Sequence, residues 1–316
     1  MSHERYFSLR LPGGIGNQLF GLFASRYIAE KSGIRNILEF DDADYSHTSR
    51  PYDIRSFRLK SWEVDYSRVN RPLRSLDSKI MKIMNRCSKS VSFHDKLLWM
   101  QRFPLNEDRK IAIDKFIQCQ MTVPSSVKTK IIFDSYLADF AFYDSLSQSE
   151  DKILSLDAPS ELFDVDLQQI RSEFTLGVHI RLGDFLTNSK DIGVLTNNYF
   201  KRAIDQLLSM HNYKQIVVFS DSQNLALQRI STWDFGIPIS ILSKSPDRDP
   251  NEELLLLSNC QGIVCSNSTF SYWAAKLAQN DNSDVKVVVP HTFRRDRLTS
   301  ISSIPSDWIQ AIPEWE

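Results

Sequence analysis

The sequence predicts an α/β protein built on parallel sheets, and three observations lead there. After Thr175, continuous β-branched and apolar runs alternate with amphipathic stretches, the pattern of parallel strands covered by helices on both faces. Polar residues collect at the carboxyl ends of three of those runs, where such sheets bind their ligands. Near the start, "YFSLRLPGGIGNQLFGLFASRYIAEKSG" passes from an apolar run through three glycines and an asparagine into a helical pattern.

The elements follow in order. A strand near Tyr6–Leu11 leads through the glycine corner to a helix over 17–31, then to the strand "NILEF" at 36–40. Residues 41–130 are polar, basic and weakly periodic, which predicts short helices and long connections. A helical stretch is expected over 137–156, and the proline and acidic residues of "DAPSELFDVDLQQIRSEF" suit a domain junction followed by one more helix. "TLGVHIRLGDF" is a strand running into a polar corner. "NNYFKRAIDQLLSM" repeats apolar residues at helical spacing, with Tyr199 or Phe200, Ala203 or Ile204, and Leu207 or Leu208 on one face. "QIVVFSDS", "PISILS", "GIVCSNSTFS" and "VKVVVP" are further strands; "QNLALQRI", "NEELLLLSNC" and "YWAAKLAQN" are the helices between them. The 316 residues divide as lobes 1–157 and 158–316.

Bulk properties narrow the function. Apolar residues make up 42% and charged residues 24%, with net charge −1, so no global field selects nucleic acid or membrane. Between Arg68 and Lys130, however, 14 Lys or Arg stand against 5 Asp or Glu. That excess reads as a solvated surface or as a face toward an anionic partner, a lipid surface or a diphosphate-linked substrate. Nucleic acid is not expected as a partner, for no binding motif accompanies the charge. Cys87, Cys119, Cys260 and Cys265 match no zinc spacing and are expected as buried free thiols. No secretory apolar core opens the chain and no apolar run approaches the ~18 residues of a membrane span. The expected location is the cytoplasm, peripheral at most on the inner face of a membrane.

Four stretches carry chemistry. In "HIRLGD", His179 and Arg181 point to one face of a strand. Arginine offers a permanently charged fork suited to phosphate oxygens, and Asp184 stands ready to orient it or to accept a proton. The same residues also read as a strand-end ion pair beside a satisfied histidine. In "CSNSTFSYW", Asn267, Ser268 and Thr269 lie where a strand passes into a helix, either an anion site or a plain cap. Asp221 in "FSDS" reads as a cap of the next helix or a ligand contact. Glu252 and Glu253 read as first-turn acidic residues or as acceptors from a guanine edge. The corner "GGIGNQ" is neither the dinucleotide fingerprint nor a Walker A loop; it brings backbone amides and Asn17 to the top of a sheet.

Taken together and in this order, "GGIGNQLFGLFASRYIAEKSG", "GVHIRLGDF", "FSDS" and "LLLLSNCQGIVCSNSTFSYWAAKLA" resemble the bacterial α-1,2-fucosyltransferases, glycosyltransferase family 11. The resemblance covers most of 9–33 and 175–293. It implies a GT-B-like fold of two Rossmann-like lobes facing across a cleft, with a last helix returning to the N-terminal lobe. It implies metal-independent, inverting transfer of L-fucose from GDP-β-L-fucose to the 2-hydroxyl of a terminal galactose on an oligosaccharide or lipid-linked glycan, as in O-antigen synthesis. By the same resemblance Arg181 holds the β-phosphate and His179 lies near ribose and phosphates. Ser268 and Thr269 are phosphate-side hydroxyls, Glu253 meets guanine, and Gly14 and Asn17 close over the donor. Asp184 is the first candidate for the base and Asp191 the second. The chain departs from the family pattern at Gly21, Leu182 and Tyr272. A fucosyltransferase of different linkage, a non-catalytic nucleotide-sugar-binding protein, and a nucleic-acid binder using residues 68–130 are the rival readings.

Overall fold

The computed structural model describes residues 13–33, 54, 56–59, 114, 137–147, 152–187, 189–242, 248–296 and 301–316. Of residues 6–10, 35–39, 53, 55, 97–101 and 129–133 it describes the backbone alone. The chain divides into two compact units, Met1–Ser155 and Leu156–Glu316.

In the first unit β1 (Tyr6–Arg10) leads into α1 (Ile15–Ser32), followed by β2 (Arg35–Glu39). With β3 (Leu97–Gln101) and β4 (Thr129–Phe133) they form a parallel sheet of order β2-β1-β4-β3. Between 41 and 130, where short helices and long connections are expected, one short 3-10 helix, Asp53–Ser56, does form, and the last two strands were not expected; the basic stretch of that region otherwise lies almost wholly outside the described residues. α1 begins two residues earlier than expected because Gly14 is already its extended N-cap, and Gly33, at φ 65°, ends it with an amide bonded to Ala29 O. Leu19, Phe20, Leu22, Phe23, Tyr27 and Ile28 are all buried, so the helix is enclosed rather than amphipathic.

Among the described residues of the helix expected over 137–156, the α-helical part is one turn, α2 (Ala141–Asp144). Phe140, Phe142 and Tyr143 are buried together against Phe20, Tyr27 and Phe23 of α1, with ring centroids 5.0, 5.5 and 4.7 Å apart. Further on, Ser155 O accepts from the distant Arg58 N–H instead of a helical partner.

The second unit runs α3 (Glu161–Ser172), β5 (Thr175–Ile180), α4 (Gly183–Thr187), α5 (Asn197–Met210), β6 (Gln215–Ser220), α6 (Gln223–Ile230), β7 (Ile239–Ile241), α7 (Pro250–Ser258), β8 (Gly262–Val264), α8 (Thr269–Asp281), β9 (Lys286–Pro290) and β10 (Ile309–Ala311). Side chains start the helices: Ser160 accepts from Phe163 N, Thr196 from Tyr199 N, and Asp249 from Asn251 N ahead of Pro250. α5 buries Tyr199, Phe200, Ala203, Ile204 and Leu207, the face its spacing predicts.

All strands of the second sheet are parallel, in the order β10-β9-β8-β5-β6-β7. The chain enters at β5, builds outward through β6 and β7, then returns to β8 on the other side of β5. This reversal makes the carboxyl ends of β5 and β8 the place where a ligand crevice opens. The expected last helix is absent from the described residues after Asp281. There β10 pairs with β9, and Glu314 and Glu316 exchange main-chain bonds with Thr196 and Val194. The end of the chain therefore stays with the second sheet. Its residues find open strand and loop main chain there.

Two consequences can be measured. A Cβ on Gly177 in β5 would lie 2.7 Å from Leu257 Cδ1 and 2.8 Å from Cys260 Sγ. Gly177→Ala is expected to lower unfolding free energy by about 1–3 kcal/mol, with Cys260→Ala in the same chain recovering part; equal urea midpoints would refute this packing. Cys260 and Cys265 are free and buried, and burial pushes both thiols well above their ordinary range. Because the folded-state values are raised, the unfolded chain ionises first. Stability is expected to hold below about pH 8.5 and to decline above it. Urea titrations at neutral and alkaline pH read this directly, and a flat profile would contradict it.

Candidate active site

The site forms at the reversal between β5 and β8. His179, one residue from the end of β5, is buried, and its Nδ1 lies 2.7 Å from Ser266 Oγ just beyond β8. Its ring stacks on Phe270 at 5.0 Å. The histidine thus ties together the two strand ends whose divergence makes the crevice.

Arg181 follows at the mouth of β5, its side chain 16% exposed. Nη1 is 3.1 Å from Asp221 Oδ2, Nη2 donates to Asp184 Oδ1 at 2.5 Å, and the guanidinium carbon lies 5.2 Å from the Phe185 ring centroid. Five N–H bonds outnumber these two carboxylates, and the buried Nε has no acceptor. The two carboxylates differ. Asp221 is 5% exposed and its Oδ1 also accepts from Leu182 N at 2.8 Å; stripping such a pair of one partner costs about 3–5 kcal/mol. Asp184 is 55% exposed, and a pair so open to water is worth about 0.2–1 kcal/mol. Gly183 is required between them, for a Cβ there would overlap Asp221 Oδ2. The reading of Asp221 as a helix cap is corrected: Ser222 is the N-cap of α6 and takes no side-chain bond.

Opposite stands the N-terminus of α8. Ser268 is its buried N-cap, yet its hydroxyl makes no capping bond, and the first turn holds no acidic residue. Those amides and the partial positive charge of the helix end suit an anion. Half-buried Thr269 opens the helix. Ser271 Oγ bonds Ser266 O and Ser268 O, stiffening the turn. Asn267 behaves otherwise than the donor contact expected of it: Nδ2 lies 3.3, 3.2 and 3.3 Å from the carbonyls of Ile192, Gly193 and Phe293, so this amide is a staple of the surrounding loops.

The neighbouring acids separate cleanly. Glu252 is buried and accepts from Ser160 N and Oγ at 2.6 and 2.8 Å, which fixes the start of α3. Glu253 is half-buried on the first turn of α7. Asp191 is exposed beside the Arg294–Asp296 pair, with its carbonyl taking Asp296 N. In the first unit Gly13 takes φ 79°, and a Cβ on Gly14 would meet nothing within 4 Å, so the backbone there fronts open space. Asn17 is half-buried on the first turn of α1.

Several contributors escape the sequence. Gln18 is buried and bridges Gly13 O and Ile54 N at 2.9 and 3.3 Å, holding the glycine corner. Ser266 and Phe270 bracket His179. Buried Arg248 pairs with Asp166, tying the approach to α7 onto α3. Ser266 and Gln18 stand inside the stretches that carry the chemistry, but nothing in spacing distinguishes a positioning residue there. A groove of about 560 Å³ lined by Leu227, Trp233, Phe235, Ile237 and Ile239 lies at the amino end of β7 and contains none of these groups. Among the described residues no cluster of His, Cys, Asp or Glu is arranged to hold a metal, and no helix is long and apolar enough to cross a membrane.

The fold is of the GT-B type found in fucosyltransferases. A variant of Arabidopsis thaliana FUT1 in complex with GDP superposes with TM-score 0.50 at 14% identity, covering 90% of this chain and 70% of that one. NodZ α-1,6-fucosyltransferase of Bradyrhizobium, co-crystallized with GDP, gives 0.50 at 16%, covering 87% and 92%. Residues 108–311 match the model of glycosyl transferase family 11, and the chain belongs to that family. O-antigen biosynthesis glycosyltransferase WbnK of Escherichia coli is 26% identical over 293 residues, 90% of this chain and 93% of the relative. The α-1,2-colitosyltransferase of Escherichia coli is 27% identical over 320 residues, 95% and 97% of the two chains.

The Arg181–Asp221 pair depends on a missing methyl group. Gly183→Ala would swing Asp221 off both its partners, and misplacement by about 1 Å costs on the order of 10²-fold in rate. Glycosyl transfer is expected to fall by that order with the circular dichroism spectrum unchanged; retained transfer would show that the arginine's placement does not matter.

Proposed function

We propose that this glycosyltransferase moves L-fucose from GDP-β-L-fucose, with inversion, to the 2-hydroxyl of a terminal galactose during assembly of a surface glycan. The observation that carries the reading is Arg181. Its guanidinium is half-buried, fixed by Asp221, and placed at the sheet reversal with the uncapped end of α8 nearby. As the glycosidic bond breaks, negative charge grows on the departing diphosphate. A fixed cation and oriented amides stabilise that charge with no reorganisation at the moment of reaction.

In this assignment Ser268 and Thr269 serve the phosphates, His179 the ribose side, and Glu253 the guanine edge. Gly14 and Asn17 belong to the donor-covering corner. The acceptor hydroxyl must lose a proton. Asp184 is bonded to the guanidinium, which favours a positioning role over that of general base, and Asp191 is the second candidate. Arg181 and the helix end supply the charge that a cation would otherwise bring, so transfer is proposed to need no metal. The acceptor is proposed to be a galactose-terminated oligosaccharide or lipid-linked glycan, met at an anionic membrane surface.

A colitosyl donor is the second reading, favoured by the 27% identity to the α-1,2-colitosyltransferase over 95% of this chain. Both donors should be offered to a panel of β-galactosides, with and without chelator, and the product linkage determined. Arg181→Ala is expected to lose about 10²–10³ in rate, measured on folded protein checked by circular dichroism because the change also takes from buried Asp221 one of its partners. Near-normal turnover by that variant, or GDP binding without any product, would overturn the assignment.

A further inference from the structure

We propose that Asp184 is a placeholder: in the empty enzyme its carboxylate sits on Arg181 where a phosphate oxygen of the donor binds, and it yields that place when the nucleotide arrives. The inference rests on the diphosphate reading of Arg181.

The two carboxylates on the guanidinium are unequal in ways that assign them different tasks. Asp221 is 5% exposed and held a second time by Leu182 N, with Gly183 leaving the room it needs. It has nowhere to go. Asp184 is 55% exposed and lies three residues beyond Arg181, on the short turn of α4. More than half exposed, its carboxylate stays hydrated when it leaves Nη2, so the exchange buries no charge.

Charge then requires the exchange. At Nη2 an incoming diphosphate meets the Asp184 carboxylate, a like charge on the donor it needs, rather than an open N–H edge. Carboxylate and phosphate oxygens accept from the same N–H fork with similar geometry. The exposed carboxylate therefore mimics the ligand and competes with it. While in place it keeps Nη2 aimed outward, so the arginine has little ordering left to do when the donor enters. On return it helps displace the diphosphate product. Asp184 acts through Arg181 and is a positioning residue.

The test is GDP binding by calorimetry to the wild type and to Asp184→Asn, with guanosine as the probe lacking the diphosphate. Removing the competitor is expected to tighten GDP binding about 1.5- to fivefold and to leave guanosine unchanged. Equal or weaker GDP binding would overturn the proposal. A wild-type crystal soaked with GDP gives an independent answer, which also serves should the variant not fold. A phosphate oxygen on Nη2 with Asp184 turned away supports the exchange; Asp184 still bonded to Nη2 beside bound GDP refutes it. Failure of the parent reading looks different, for Arg181→Ala would then bind GDP as tightly as the wild type.

Discussion

Arg181 carries a charge into a corner that water reaches poorly, and Asp221 makes that position tenable. A guanidinium 16% exposed must be paired, and a pair this dry holds only if the carboxylate has further partners. Asp221 finds one in Leu182 N, which also pins the turn out of β5. Gly183 exists in that turn because any side chain would displace the acid. From this one contact follow the direction of the arginine, the path of the chain into α4, and the spacing between the ends of β5 and β6.

The rest of the second unit keeps that corner in register. β5 runs between β6 and β8 with every residue buried, so its mouth cannot drift. His179 and Ser266 join β5 to the exit of β8. Asn267 gathers three carbonyls from two loops. Behind those loops the last residues of the chain add a short antiparallel bridge, Leu195 to Trp315, and Trp315 fills the space that a side chain on Gly193 would need. Polar residues that in the sequence look available for a ligand are here divided. Some hold the frame, as Asn267 and Glu252 do. Others stand outside it, as Ser268 does at a helix start where its side chain makes no capping bond.

That division explains why the fold was more legible than the site. The alternation after Thr175 followed from burial on both sheet faces, which leaves continuous apolar runs, and the helix over Asn197–Met210 followed from its apolar spacing. Expectation failed where local pattern and tertiary demand parted. Phe142 and Tyr143 do lie in a helical turn with Phe140 at its start, but the turn ends at Asp144, its rings packed on those of α1. Residues 97–101 and 129–133 lie in a basic stretch of weak period and still become strands, because the first sheet offers them parallel neighbours. Glu252 and Glu253 are alike in sequence; only the nearness of Ser160 makes one a structural acceptor.

By itself the sequence determined the class of fold, most of the order of strands and helices around the second sheet, and which polar residues stand at its strand ends. Those depend on periodicity, capping and side-chain chemistry, which act within a few positions. The tertiary structure decided which of two carboxylates anchors Arg181, that Asn267 is a staple, and that the end of the chain joins the second sheet as a strand. Each of these turns on contacts between residues tens of positions apart, and burial, which local spacing does not encode, selects among them.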